Sequence, residues 1–345
     1  LIMTHISCAS SFKNVTLQTA RAVKSVIFFV MMGLTASVYA QARDAANYPD
    51  RPIKIVVGFV PGGPTDLYAR VAARGLSDVF GQQVVVENKP GASGAIAAVA
   101  VASAAADGYT LLAHVVSDII TPIANQKVGY NLERNFAAIG LIASAPNVLV
   151  VHPSIPVNSV QELIAYAKKN PNTLNYGSAG VGTVSHLAGA LLEAEAQTPL
   201  AHIQYKGTNG AQLDLLAGRI TVMFDNLGNG LSNAQAGKLK ALAVTSAEPW
   251  PAAPTIPTMV QSGFPGSTIL SVFGLVAPVG TPPEVVNKLS AALSQGLRTE
   301  AYRKSIIDSG AQPGELAAEA YGKYIAAESR RWEGFLAKHP EIIKQ

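Results

Sequence analysis

The sequence predicts an α/β protein built on parallel sheets. Strand-like and helix-like stretches alternate along it with no long low-complexity linker. Its first strand-like stretch, Ile53-Lys54-Ile55-Val56-Val57-Gly58-Phe59-Val60, is a nearly continuous apolar run, as a strand covered on both faces requires. Glycine-rich loops follow strand-like stretches and open helix-like ones at residues 61–66 and again at 177–186.

Each element has its own signal. Pro61-Gly62-Gly63-Pro64-Thr65 ends the first strand, and residues 66–80 read as a helix with Leu67, Val71 and Val79 on one face and Gly81 ending it. Residues 84–87 form a second strand, closed by Asn88-Lys89-Pro90-Gly91. An Ala-rich helix over about 93–105 follows, and Asp107-Gly108 turns into a strand at 109–114. Residues 148–151 are strand, and Ser159 with Glu162 makes a capping box that opens a helix to Lys169. Leu174-Asn175-Tyr176 is a short strand before the second glycine-rich loop, whose helix runs to about Ala196. Strands lie near Ile203, Val222 and Leu242, with a helix between the first two. Thr281-Pro282-Pro283-Glu284 starts a helix with a capping pair and an early proline. Val286, Leu289, Leu293 and Leu297 give that helix its buried stripe. The stretch 315–338 is helical, with Tyr321, Ile325, Trp332 and Leu336 on one face.

Residues 1–40 read as a secretory signal peptide rather than part of the fold. Lys13, Arg21 and Lys24 precede a short apolar stretch, 26–34, and then Thr35-Ala36-Ser37-Val38-Tyr39-Ala40. Val38 and Ala40 occupy the small-residue positions before a cut that makes Gln41 the new terminus. The apolar stretch is too short to span a bilayer, which needs roughly 20 residues. The opening Leu1-Ile2-Met3 points to a start at Met3 or later.

Cleavage leaves about 305 residues and lowers the formal charge from +4 to about +1, since the three basic residues leave with the signal. The basicity therefore gives no case for a nucleic-acid or anionic-membrane partner. Cys8, the single cysteine, leaves too, which excludes a disulfide, a thiolate metal site and a cysteine nucleophile from the mature chain. An exported chain without cysteine fits a Gram-negative periplasm. A hydrophobic content of 49% over this length suits two domains.

The two glycine-rich loops carry the functional signal. Residues 61–66 sit at the carboxyl end of the first strand, the edge at which open α/β sheets bind ligands. Glycine lets the backbone approach a ligand, and the unpaired amides of a first helical turn favour an anion without any lysine or arginine. A plain turn capped by Thr65 or Asp66 is the alternative. Residues 177–186 repeat the design, and Ser178, Thr183 and Ser185 add hydroxyl donors. His186, in the first turn after the loop, either faces a ligand or braces the loop. Tyr205, Lys206, Asp225 and Ser117 lie just past or at the ends of strands and are weaker candidates.

Other chemistries lack their patterns. Gly180-Val181-Gly182 with Ser185 misses the third glycine of a dinucleotide fingerprint, and no Gly-Lys-Ser/Thr phosphate loop is present. Gly177-Ser178-Ala179-Gly180 does not have the Gly-x-Ser-x-Gly spacing of a hydrolase elbow. His5, His114, His152, His186, His202 and His339 show no spacing typical of metal ligands. No cofactor and no metal is expected.

Taken together, the short motifs resemble the periplasmic solute-binding proteins of tripartite tricarboxylate transporters, the Bug-type receptors, over essentially the whole mature length. They include Tyr48-Pro49-x-Arg51-Pro52-Ile53-Lys54, Pro61-Gly62-Gly63 with Thr65-Asp66, and Val86-Glu87-Asn88-Lys89-Pro90-Gly91-Ala92. Asp107-Gly108-Tyr109-Thr110-Leu111, the loop at 177–186, Tyr205-Lys206-Gly207 and Leu242-Ala243-Val244-Thr245-Ser246 follow. Pro257-Thr258, Gly263-Phe264-Pro265-Gly266 and Ala277-Pro278-x-Gly280-Thr281-Pro282 complete the series. The chain departs from the family pattern at Pro64, Gln204 and Val272-Phe273-Gly274. Pro64 removes an amide and stiffens the first loop.

The resemblance implies a type II periplasmic-binding-protein fold, two α/β lobes joined by crossing strands and closing on ligand. Lobe 1 would span 42–145 and 265–345, and lobe 2 would span 146–264. The resemblance also implies a monomeric receptor that holds a small carboxylate without changing it and delivers it to membrane permease subunits. Dicarboxylates, tricarboxylates, acidic amino acids and aromatic acids all fall in that class. Phe59, Gly63, Thr65 and Asp66 would line lobe 1 with Ser117 nearby. Ser178, Gly182, Thr183 and His186 would line lobe 2, with Tyr205 and Asp225 at its edge. A sensory receptor docking on a membrane signalling partner is the alternative. A secreted hydrolase would need Ser178 or Ser185 to work with His186 and a distant Asp225.

Overall fold

The computed structural model describes residues 47–343. The signal-peptide segment, 1–40, lies outside the described residues, and Cys8 with it. Among the described residues, 47–50 fall in one unit and 51–343 in another. In the first, the described residues include a cis peptide between Tyr48 and Pro49.

The second unit runs β1 (Ile53–Val57), α1 (Pro64–Phe80), β2 (Val84–Asn88), α2 (Ala95–Ala102), β3 (Thr110–His114), α3 (Ser117–Ala124), α4 (Leu132–Asn135) and β4 (Phe136–Val151). It continues with α5 (Val160–Lys169), β5 (Asn175–Ser178), α6 (Val184–Ala196), β6 (Ala201–Gln204), α7 (Thr208–Leu216), β7 (Val222–Asn226), α8 (Leu227–Gln235) and β8 (Lys240–Val244). Then follow β9 (Leu270–Pro278), α9 (Pro283–Arg298), α10 (Glu300–Asp308), β10 (Gln312–Pro313) and α11 (Ala318–Lys338).

Strand order is β2-β1-β3-β9-β4-β7-β5-β6, with β8 and β10 added against β4. Parallel pairing, as the sequence predicts, holds for β1 with β2 and β3 and for β5 with β6 and β7. The centre is antiparallel: β9 pairs β3 and β4, and β7 and β8 pair β4. β4 is the pivotal element. Its first part pairs β9 from Phe136–Pro278 to Pro146–Leu270, and Asn147 to Val151 pair β7 instead. One strand of 16 residues thus passes from the first half of the sheet to the second.

The sequence pattern shows only the last four residues of β4. Residues 136–147 are rich in alanine and contain Gly140, Ser144 and Pro146. Two register shifts against β9 also break the alternation a strand normally displays. β1 ends at Val57, earlier than its apolar run, and the Ala-rich stretch is helical only to Ala102. α3 and α8 are unsignalled. α3 carries Pro122, and α8 is Leu-Gly-Asn-Gly-Leu-Ser-Asn-Ala-Gln, a composition of low helix propensity.

Helix packing follows amphipathic faces with two shifts from the sequence pattern. α1 leaves Leu67 exposed and buries Tyr68, Val71 and Leu76. α9 buries Val285 rather than Val286, together with Leu289, Leu293 and Leu297. Thr281 is not its cap, because the hydroxyl donates to the Pro278 carbonyl at 2.8 Å. α1 and α9 cross where Gly75 meets Gly296; a methyl at Gly296 would stand 2.9 Å from the Gly75 backbone. α5 has its expected cap, with the Glu162 amide donating to Ser159 Oγ at 3.1 Å. α11 buries Tyr321, Ile325, Trp332 and Leu336 against a core that also holds Leu112, Ile120 and Val276.

Candidate functional site

A cavity lies at the carboxyl ends of β1 and β3 on one side and of β5, β6 and β7 on the other. The first wall comprises Phe59, Val60, Gly63, Pro64 and Thr65 after β1, Val115, Val116 and Ser117 after β3, and Val272 and Phe273 of β9. Facing it are Ala179, Thr183, Val184 and Ser185 after β5, Gly207, Thr208 and Asn209 after β6, and Asn226 at the end of β7. Asn147 of β4 and Ser271 of β9 join them at the crossover. None of these residues is charged. The polarity of the cavity comes from hydroxyls, amides and the starts of α1, α3, α6, α7 and α8.

The loop before α1 is locked by its own acid. Asp66 Oδ2 accepts from the Gly62 amide at 3.1 Å, and the carboxylate also takes Arg70 Nε and Nη2, each at 2.9 Å, and Asn88 Nδ2 at 3.0 Å. Burial pushes the Asp66 carboxyl up. The bonds from Arg70, Gly62 and Asn88 outweigh it and hold the group below its usual range, hence ionised. Pro64 occupies the first helical position, where its missing amide leaves nothing unpaired. α3 is closed similarly: Asp118 Oδ2 accepts from the Val115 amide at 2.8 Å and stands 3.2 Å from His114 Nδ1.

The second loop consumes its own amides through side chains. The amides of Ala179, Gly180 and Gly182 donate to Ser185 Oγ, Ser178 Oγ and His186 Nδ1 at 3.0, 3.2 and 3.1 Å. Thr183 Oγ1 donates to the Gly180 carbonyl at 2.6 Å. Ser178 Oγ is 2.7 Å from His202 Nε2, and the His202 ring lies between Tyr176 and His186, with centroids 4.9 and 4.4 Å away. Burial, with the neighbouring His202 ring second, pushes His186 down to about 3. Burial pushes His202 down to about 4. Both rings are therefore neutral braces behind the loop.

Of the residues expected to line the site, Phe59, Gly63, Thr65, Ser117 and Thr183 stand on the cavity wall. The others are held behind it. Asp66 is spent on its loop, and Ser178, Gly182 and His186 on theirs. Tyr205 donates its hydroxyl to Asp214 at 2.8 Å. Asp225 is fully buried; it accepts from Gln212 Nε2 at 2.9 Å and the Asn226 amide at 2.8 Å. Burial pushes its carboxyl up to about 7 against the pull of those bonds. Neither serine of the hydrolase alternative pairs with His186: Ser178 meets His202, and Ser185, on the cavity wall, accepts from the Ala179 amide, while His186 Nδ1 accepts from the Gly182 amide.

The sequence pattern misses Asn147, Thr208, Asn209, Asn226, Ser271 and Phe273. Thr208 and Asn209 follow Gly207, whose place after a strand matches the two loops already recognised; that signal was available. Asn226 had none beyond its neighbour Asp225. Its Nδ2 is buried without a hydrogen-bond partner among the described residues. At the crossover, Asn147 Nδ2 donates to the Phe224 carbonyl at 2.7 Å and Oδ1 accepts from Ser271 Oγ at 2.8 Å. The Asn147 amide donates to Thr245 Oγ1 at 2.8 Å, and that hydroxyl donates to the Ile269 carbonyl at 2.7 Å. The walls approach closely above: a methyl at Gly182 would stand 3.1 Å from Ile120.

Among the described residues no group of three or more potential ligands gathers to hold a metal ion. No helix among them is long and apolar enough to cross a membrane.

A family model described as the tripartite tricarboxylate transporter family receptor matches residues 68–340. The solved periplasmic binding protein BugD is similar to this chain at 36% identity and a TM-score of 0.78, covering 84% of this chain and 98% of that one. A Rhodopseudomonas palustris protein with adipate is 34% identical with a TM-score of 0.77, over 84% of this chain and 97% of that one. MatC of Rhodopseudomonas palustris, with bound malate, is 30% identical with a TM-score of 0.78, over 86% of this chain and all of that one.

Proposed function

Because the chain belongs to the tripartite tricarboxylate transporter receptor family, a family of solute-binding receptors with the periplasmic-binding-protein fold, we propose that it captures one small organic carboxylate in the cavity and delivers it to membrane permease subunits. One observation carries this reading: helix starts converge on a cavity with no charged side chain in its lining. Aligned amides at a helix start favour an anion, and they do so without a lysine or arginine. The adipate and malate held by two solved relatives are both carboxylates. The predicted signal peptide and the periplasmic relatives support a periplasmic setting.

Residues 42–145 with 265–345, and 146–264, act as two lobes about β4 in this proposal. A ligand that touches both walls at once binds best when the walls are closest, so it shifts the population toward the closed form. Phe59, Gly63, Thr65, Ser117 and Thr183 contact it, joined by Thr208, Asn209 and Asn226.

The test is a thermal-shift screen of residues 41–345 against small carboxylates and their amide analogues. A ligand at 100 times its dissociation constant stabilises by about 2.7 kcal/mol. Shifts with acids that vanish with the amides are expected. Equal shifts with an acid and its amide would remove the anion argument.

A further inference from the structure

Glycines of the second wall meet side chains from the first half of the sheet at three places. A methyl at Gly180 would stand 3.0 Å from Ser93 Oγ, one at Gly182 3.1 Å from Ile120 Cγ2, and one at Gly207 3.4 Å from Val60 Cγ2. Ile120 belongs to the core and Val60 to the cavity wall. Ser93 belongs to neither. It reaches the loop at 177–186 from outside the lining, in the segment between β2 and α2.

The backbone that carries Ser93 there is strained. Gly91, Ala92, Ser93 and Gly94 have φ of 138°, 48°, 52° and 101° in succession. Residues with a Cβ enter this region singly and at a cost. Ala92 and Ser93 enter it side by side, whereas Asn172 and Gln197, the other two among the described residues, stand alone. The turn is held from its own side of the cavity. The Gly94 amide donates to the Gly91 carbonyl at 3.0 Å, and Ser117 Oγ donates to the Ser93 carbonyl at 2.8 Å. Gly58 lets the turn sit close, since a methyl there would stand 2.6 Å from Gly94 Cα. None of these holds involves the second wall, so the strain is the same whether or not the walls touch. A glycine at 93 would make the same turn without it. What serine adds is a side chain against Gly180.

We propose that the Gly91–Gly94 turn is a latch: it holds Ser93 against Gly180 where the walls meet, and so stabilises the shut form by a contact that belongs to the protein rather than to the ligand. Part of the free energy of closure is then present before any ligand binds, and the shut form is populated in its own right. Ser117 ties the latch to the cavity, because it stands on the wall and its hydroxyl fixes the Ser93 carbonyl. The inference rests on the reading of two lobes that close about β4 and is independent of the chemistry of the ligand.

Native-state hydrogen exchange on the mature chain, with no ligand added, tests it. The amides of Gly180, Gly182 and Thr183 lie buried where the walls meet, so they exchange through opening at a rate set by the open fraction. Those of β1 and β3 exchange through unfolding. Ser93→Gly is expected to slow the strands, because it relieves the turn in the native state. The same variant should speed the three loop amides about three-fold or more, because the contact across the cleft is gone. Opposite signs at the two places are the signature of a latch; a serine that only shapes its own turn gives slower exchange at both. Ser93→Ala keeps the strain and drops the hydroxyl, and should speed the loop amides with the strands unchanged. Loop amides unchanged or slower in Ser93→Gly overturn the latch and leave the two lobes standing. Loop amides that exchange no faster than the strands in the wild-type chain mean that the walls do not part short of unfolding, and that result overturns the two-lobe reading as well.

Discussion

The Asp225 carboxyl accepts from the Gln212 amide and the Asn226 backbone while burial pushes it up to about 7. Its folded value lies above its unfolded one, so the native state binds the extra proton between about pH 4 and 7. The stability it contributes is present in full below that window and lost as pH rises through it. Asp225→Asn keeps the shape and drops the charge. Denaturant unfolding at several pH values should show the variant losing less stability than the parent from pH 4 to 8; parallel curves would refute this. His186 and His202 act in the opposite sense. Their folded values, about 3 and about 4, lie below the ordinary 6.5. Their contribution is present above pH 6.5 and is lost as pH falls toward 4, so His202→Gln should flatten the acid limb of the same curve. Polar residues were legible in the sequence as belonging near a loop, but not as facing in or out. Ser178 and Thr183 come from the same loop, yet only Thr183 stands on the cavity wall. Both hydroxyls bond to the backbone of their own loop, and spacing along the chain cannot show which of the two side chains will also face the cavity.

The crossing of α1 and α9 tests packing at the scale of elements. A methyl at Gly296 would stand 2.9 Å from the Gly75 backbone, whereas one at Gly75 would have 3.3 Å to Gly296. Backbone cannot swing aside as a side chain can. Gly296→Ala should therefore destabilise by about 1–3 kcal/mol, and Gly75→Ala by less, on urea unfolding. Equal losses would mean that the helices separate freely. Ser159→Ala, removing the cap of α5, should lose about 1 kcal/mol by the same measurement. That cap was readable because capping is local in sequence. β4 was not, because its first eleven residues, 136–146, are held by pairing with β9, more than 120 positions further along. α8 forms for a related reason: Leu227 and Gly230 pack into the core beside Val148, and this tertiary context overrides a weak propensity.

At the scale of the molecule, the alternation of strands and helices and the order of short motifs were enough to give the fold class. The antiparallel centre was not visible, since no local signal says which strand will lie beside which. The crossover is where the halves depend on each other. Thr245 Oγ1 accepts from the Asn147 amide and donates to the Ile269 carbonyl. Thr245→Val leaves both groups unpaired and should lower stability by about 1–3 kcal/mol while far-ultraviolet circular dichroism stays the same. No change in unfolding midpoint would mean that water replaces the hydroxyl at no loss.

The path of β4 also bears on the order in which the chain can fold. The second half of the sheet draws all its strands from residues 147–244, from the end of β4 to β8. The first half begins at Ile53 but waits for β9, which closes only at Pro278, and for β10 after it. The earliest residues to arrive are thus among the last to find all their partners. Pulse-labelled hydrogen exchange during refolding should protect β5–β7 before β1–β3, as local pairings form ahead of distant ones.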